Sequence, residues 1–130
     1  MVKHLVIEGK NISNIKTFYH EINRVFMQQE NWKIGESLDA LNDLFYGGFG
    51  KIKGKENISL IWENFEENKK ALGLEMTKNF YESKLKSPEI FNTAFIKEKI
   101  EALENGNGQT YFQIIAEIIA EHSNIKLIEK

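Results

Sequence analysis

The sequence predicts an α/β protein: a three-stranded parallel sheet packed with helices, plus a helical insertion over about 73–108. Two observations carry this reading. Short apolar, β-branched runs recur at 5–7, 58–62 and 125–128, each too brief for a helix. Between them lie segments whose apolar residues return at helical spacing, and strands that alternate with helices pair in parallel through right-handed crossovers. The chain has 130 residues, 42% of them hydrophobic and 28% charged, which predicts one domain spanning 1–130.

Leu5-Val6-Ile7, closed by Glu8-Gly9, is read as a buried strand at the centre of the sheet. Ser13 is the expected cap of a first helix whose inward face is Ile15, Phe18, Ile22, Val25 and Phe26, with Lys16, Glu21 and Arg24 pointing elsewhere. In the second helix Leu38, Leu41, Leu44 and Phe45 form the apolar stripe. That leaves Asp39, Asn42, Asp43 and Tyr46 toward solvent, and Gly47-Gly48 ends the helix. A second strand follows at 58–62, and Phe65 opens a short helix. In the insertion, Ser87-Pro88-Glu89 supplies a cap and a first-turn proline ahead of Ile90, Phe91, Ala94, Phe95, Ile100 and Leu103, stopped at Asn105-Gly106. The last helix, from Thr110 to His122, is apolar almost all round. Only Gln113, Glu117 and Glu121 interrupt it, on one line at i, i+4 and i+8.

Composition excludes several classes of function. There is no cysteine, hence no disulfide framework, thiolate metal site or thiol nucleophile, which fits a reducing, cytoplasmic setting. The opening residues lack the apolar core of a signal peptide, and no apolar run approaches the ~20 residues of a membrane span. A net charge of -2 offers no general attraction for nucleic acid. His4, His20 and His122 lack metal-ligand spacing, so neither a metal nor another cofactor is expected. The loop Gly47-Gly48-Phe49-Gly50-Lys51-Ile52-Lys53-Gly54-Lys55 follows a helix and has no Ser or Thr after a Gly-Lys pair, so it is not a phosphate-binding loop. Its lysines leave RNA contact as a weaker reading.

The most informative feature is the placement of aspartate. The chain has only two, Asp39 and Asp43, against 17 glutamates scattered among lysines. Spacing of i and i+4 sets both on one helix face, where like charges repel by ~0.2 to 0.5 kcal/mol. Such a surface suits a cationic partner. Paired carboxylates also serve in glycoside hydrolysis and metal binding, yet no nucleophile or water-excluding pocket accompanies these.

Four blocks resemble the barstar family of ribonuclease inhibitors. They are Val6-Ile7-Glu8-Gly9 with Ile12; Gly35-Glu36-Ser37-Leu38-Asp39-Ala40-Leu41 with Asp43 and Gly47; Trp62, Phe65 and Glu66; and Gln113, Glu117 and Glu121 with the strand at 125–128. The resemblance covers roughly 1–72 and 109–130. It implies a non-enzymatic inhibitor, monomeric when free, whose second helix plugs a ribonuclease or related toxin with carboxylates standing where RNA phosphates would lie. By the same resemblance Asp43 is central, Asp39 lies one turn earlier, Gly47 is the glycine at the helix end, and Glu117 and Glu121 are further contacts. Asn42, Tyr46 and Phe49 complete the surface. The chain departs from the family at Asn42 and Lys33, both aromatic positions there, and Phe49 stands one residue beyond the family's tryptophan. Lys33, Lys51, Lys53 and Lys55 also flank the acidic helix. A non-ribonuclease toxin or another cationic protein is therefore the alternative partner.

Overall fold

A computed structural model describes residues 2–130. Strand β1 is Lys3–Ile7, β2 is Ile58–Trp62 and β3 is Ile125–Glu129. All pair in parallel in the order β1-β2-β3, with Lys3 opposite Ile58 and Ile58 opposite Ile125. The expected central position of Leu5-Val6-Ile7 is thus corrected: β2 is central and β1 lies at an edge. The β1 pattern agrees, for Leu5 and Ile7 are buried while His4 and Val6 face out, whereas Ile58, Ser59, Leu60 and Trp62 of β2 are all buried.

Helices α1 (Ile15–Phe26) and α2 (Leu38–Phe45) fill the first crossover. The second holds α3 (Phe65–Ala71), α4 (Leu74–Lys84), α5 (Thr93–Glu104) and α6 (Tyr111–Glu121). The core centres on Trp62, which has no exposed surface and packs its ring against Phe18, Phe65 and Phe112. Its Nε1–H donates to Asn68 Oδ1 at 2.7 Å, and Asn68 Nδ2 donates to the Gly9 carbonyl, so the buried amide of α3 is satisfied on both sides.

Two readings of α1 are corrected. Its cap is Asn14, not Ser13: Asn14 Oδ1 accepts from Thr17 N–H, and Thr17 Oγ1 accepts from Asn14 N–H, a reciprocal capping box. Glu21 points inward and is buried. Its carboxylate accepts from Glu8 N–H (2.7 Å), Asn11 Nδ2 (3.0 Å) and Arg24 Nε and Nη2 (2.8 and 2.6 Å). A charge can be buried here because every direction around it holds a donor.

The insertion is helical, as expected, but its second helix starts at Thr93 rather than at Pro88. Ser87 to Phe91 form a turn, and α5 is capped by Asn92 Oδ1 accepting from Phe95 N–H. The stripe moves accordingly: Ile96 and Leu103 are buried, while Ile90 and Phe95 are exposed. Thr77 of α4 joins the insertion to α6, its Oγ1 accepting from Tyr111 N–H (2.8 Å) and donating to the Gly73 carbonyl (2.7 Å). Phe80 packs edge-on against Tyr111, whose hydroxyl meets that of Tyr19. Burial pushes the Tyr111 hydroxyl up to about 12 and that of Tyr19 far above its ordinary value.

Candidate functional site: an acidic helix face

Helix α2 is eight residues long and anchored from below. Leu41, Leu44 and Phe45 are fully buried, the Phe45 ring packing on Phe26. Ser37 caps the start, its Oγ accepting from Ala40 N–H at 3.1 Å. Anchoring by the apolar stripe leaves Asp39 and Asp43 exposed one turn apart, as the spacing predicts. Neither carboxylate makes a hydrogen bond or ion pair among the described residues, whose ion pairs are Lys3–Glu56, Arg24–Glu8, Arg24–Glu21 and Lys78–Glu104.

The far end of the helix is fixed by glycine. Gly47 is buried at φ +83°, and a Cβ there would lie 2.2 Å from the Gly54 carbonyl oxygen. Only glycine allows the loop to fold back against the helix end, where Gly54 N–H donates to the Gly47 carbonyl at 2.8 Å. Gly47 is therefore a shaping residue of this face rather than an exposed one.

Tyr46 is exposed at 63%, and Phe49 is half-buried with its ring 4.9 Å from that of Trp32. Trp32 is itself 44% exposed, so the two rings form a partly exposed aromatic patch, a grouping the sequence reading did not make.

Asn42 departs from the expectation of a solvent-facing side chain. It is half-buried, and its Oδ1 lies 2.7 Å from Nε2 of His122, a buried residue at the C-terminal end of α6. The His122 ring meets Tyr46 and Phe45 edge to face at 4.7 and 5.8 Å. Sequence reasoning missed this residue as a support, since its partners are remote in the chain; its position at a helix end was the one visible signal. A cleft of about 350 Å³ bordered by Tyr46, Lys55, Glu121 and His122 brings the Glu121 edge of α6 beside the end of α2. Glu117 is exposed and accepts from Gln109 Nε2. At the opposite end, a cleft of about 390 Å³ has Glu36 and Asp39 on one side and Lys84, Phe95 and Lys99 of the insertion on the other.

Among the described residues no cluster of three or more His, Asp and Glu side chains could hold a metal ion, and no helix is long and apolar enough to cross a membrane. Chemically, the face offers fixed anions to an Arg- or Lys-rich surface.

No curated protein and no solved structure matches this chain. A family model described as Barstar (barnase inhibitor) matches residues 2–83, from β1 through α2, β2 and α3 into α4. The matched span contains Asp39, Asn42, Asp43, Tyr46, Gly47 and Phe49, and ends before α5, so Glu117 and Glu121 lie beyond it. With more than half of its 130 residues matched and a three-stranded parallel sheet behind an exposed acidic helix, the chain belongs to the barstar family.

Proposed function

We propose that this protein is a stoichiometric inhibitor, an antitoxin or immunity protein, that occupies the active site of a ribonuclease with the acidic face of α2. The observation that carries the reading is the pair Asp39 and Asp43, exposed, unpaired among the described residues, and held on a helix whose opposite side is fully buried. A site that binds RNA phosphates is a cluster of cationic donors, and two rigid carboxylates satisfy such donors without presenting a bond to cleave. Asp43 is the central contact and Asp39 its partner. Asn42, Tyr46 and Phe49 form the surrounding surface, Gly47 shapes the helix end beneath it, and Glu117 and Glu121 contribute from α6.

The test is a titration of ribonuclease activity, for barnase and for small toxin ribonucleases, with the wild-type chain and with an Asp39→Ala, Asp43→Ala variant. Stoichiometric inhibition that disappears in the variant supports the plug. A second reading, a non-ribonuclease toxin or another cationic protein as partner, is favoured by Asn42, a half-buried polar residue at a position the family fills with an aromatic anchor. Interface anchors set partner choice more than shared charges do. Wild-type chain that inhibits no ribonuclease, yet binds a cationic protein through the same aspartates, would replace the first reading by the second. Neutralising Lys51 and Lys53 separates both from RNA binding, which alone depends on those cations.

A further inference from the structure

The acidic face is not uniformly an acceptor surface. Asn42 lies three residues after Asp39 and directly before Asp43, and its Oδ1 is turned inward onto His122 Nε2 at 2.7 Å. An amide oxygen can only accept, so Nε2 carries the hydrogen. Asn42 Nδ2 has no partner among the described residues, and every buried side-chain nitrogen or oxygen among them has one, so the amide NH2 reaches the surface. The same reasoning leaves His122 Nδ1, which has no partner among the described residues, reaching the surface, and His122 borders the cleft that Tyr46 and Glu121 also line. Asn42 shares the α2 helix with Asp39, three residues earlier, and Asp43, its neighbour, so an outward NH2 adds a donor to a helix surface otherwise lined by acceptors. The His122 ring is buried and packed in T-shaped contacts with Phe45 and Tyr46, which restrains it beside Asn42.

We infer that His122 is a positioning residue that fixes Asn42 with its NH2 outward, so that the face presents two carboxylates and, beside them, a hydrogen-bond donor. Resting on the inhibitory reading above, this defines the partner more narrowly. Its cationic site carries an acceptor, a main-chain carbonyl or a hydroxyl oxygen, next to the groups that meet Asp39 and Asp43. A partner surface of cations alone would leave the Asn42 donor facing like polarity.

The polarity is decided in the free, full-length, 15N-labelled protein by long-range proton–nitrogen correlation of the histidine rings at a pH where they are neutral. His122 should show the Nε2–H tautomer, and the Asn42 NH2 protons should exchange rapidly with water. An Nδ1–H tautomer would mean that Nε2 accepts from Asn42 and that Oδ1 faces out, which overturns the inference. His122→Phe keeps the ring packing and removes the donor; the Asn42 amide signals should then shift and lose their single fixed environment, and signals identical to wild type would also overturn it. In the ribonuclease titration, Asn42→Asp keeps the inward acceptor but replaces the outward donor by an oxygen, and should weaken inhibition at least tenfold. Equal or tighter inhibition by this variant, which adds a third carboxylate, counts against the donor. Absence of inhibition by the wild-type chain would instead defeat the inhibitory reading while leaving the tautomer result standing.

Discussion

Asp43 and Glu21 carry the same charge and do opposite work. Asp43 has water on its free side and no partner among the described residues, so replacing it removes little that holds the fold. Asp43→Ala should leave the thermal midpoint within the range of a neutral surface change, about ±0.5 kcal/mol, while weakening partner binding at least about tenfold, since hydrogen bonds to charged groups contribute ~1.5 to 3 kcal/mol each. A melting curve that collapsed in this variant would contradict the surface assignment. Glu21 is the reverse. Burial alone would raise its pKa, but the hydrogen bonds from Arg24, the Glu8 N–H and Asn11 together hold the carboxyl below its ordinary range. A carboxyl depressed in the folded state adds stability that is present above its unfolded value, about 4.3, and is lost as pH falls through the folded value. Chemical denaturation should therefore show stability nearly flat from pH 7 to 5 as far as this group is concerned, and falling below about pH 4. In Glu21→Gln that acid-side fall should be shallower, and an unchanged profile would remove Glu21 from the account. The exposure of Asp39 and Asp43 was legible in the sequence, because the Leu38, Leu41, Leu44, Phe45 stripe leaves them no other direction. The inward turn of Glu21 was not, because its donors Glu8 and Asn11 come from a different element.

Elements were legible where the local pattern decides and illegible where pairing decides. The strand at 58–62 was found to the residue, because a β-branched apolar run flanked by Asn57 and Glu63 admits little else. Sheet order was not, for Leu5-Val6-Ile7 reads as buried on both faces although Val6 faces out, and which strand lies between the other two is set by crossovers rather than by three residues. Asn92, not Ser87, starts α5 because its side chain reaches the N–H three residues on, while Ser87 closes a separate turn. At α2 the sequence signal and the structure agree on the apolar stripe, the exposed aspartates and the glycine stop, though not on Asn42, and Gly47 shows how the stop is made. Ala at this position would need both an unfavourable positive φ and displacement of the Gly54 main chain. Gly47→Ala should cost about 2 kcal/mol or more in urea unfolding and should weaken binding as well, since the end of α2 must move. Stability equal to wild type would show that the loop rearranges without strain.

At the scale of the whole molecule, we propose that the segment between α3 and α6 belongs to the same cooperative unit as the sheet, so that residues 1–130 unfold as one domain. The physical reason lies at the start of α6. A first-turn N–H has no acceptor within its own helix, and that of Tyr111 is buried. Its acceptor is Thr77 Oγ1 of α4, while Phe112 N–H donates to the Leu72 carbonyl at 3.1 Å just before α4. Met76 and Phe80 of α4 then pack on the main core, and α5 covers α4 from the outer side with Ile96 and Leu103. Removing α4 would thus uncover core surface and strand the first N–H groups of the helix that carries Glu117 and Glu121. Thr77→Val isolates the polar part of this coupling, being close in shape but unable to accept a hydrogen bond. It should cost about 1 to 3 kcal/mol, the penalty of a buried unsatisfied donor. Far-ultraviolet circular dichroism, dominated by the helices, and fluorescence of the buried Trp62, isolated by a Trp32→Phe background, should report one coincident thermal transition, and adding Thr77→Val should make both fall together by several degrees. If the helical signal fell first and the Trp62 signal kept its wild-type midpoint, α4 and α5 would be an appendage on the sheet domain, and the acidic edge of α6 would owe its position to other contacts.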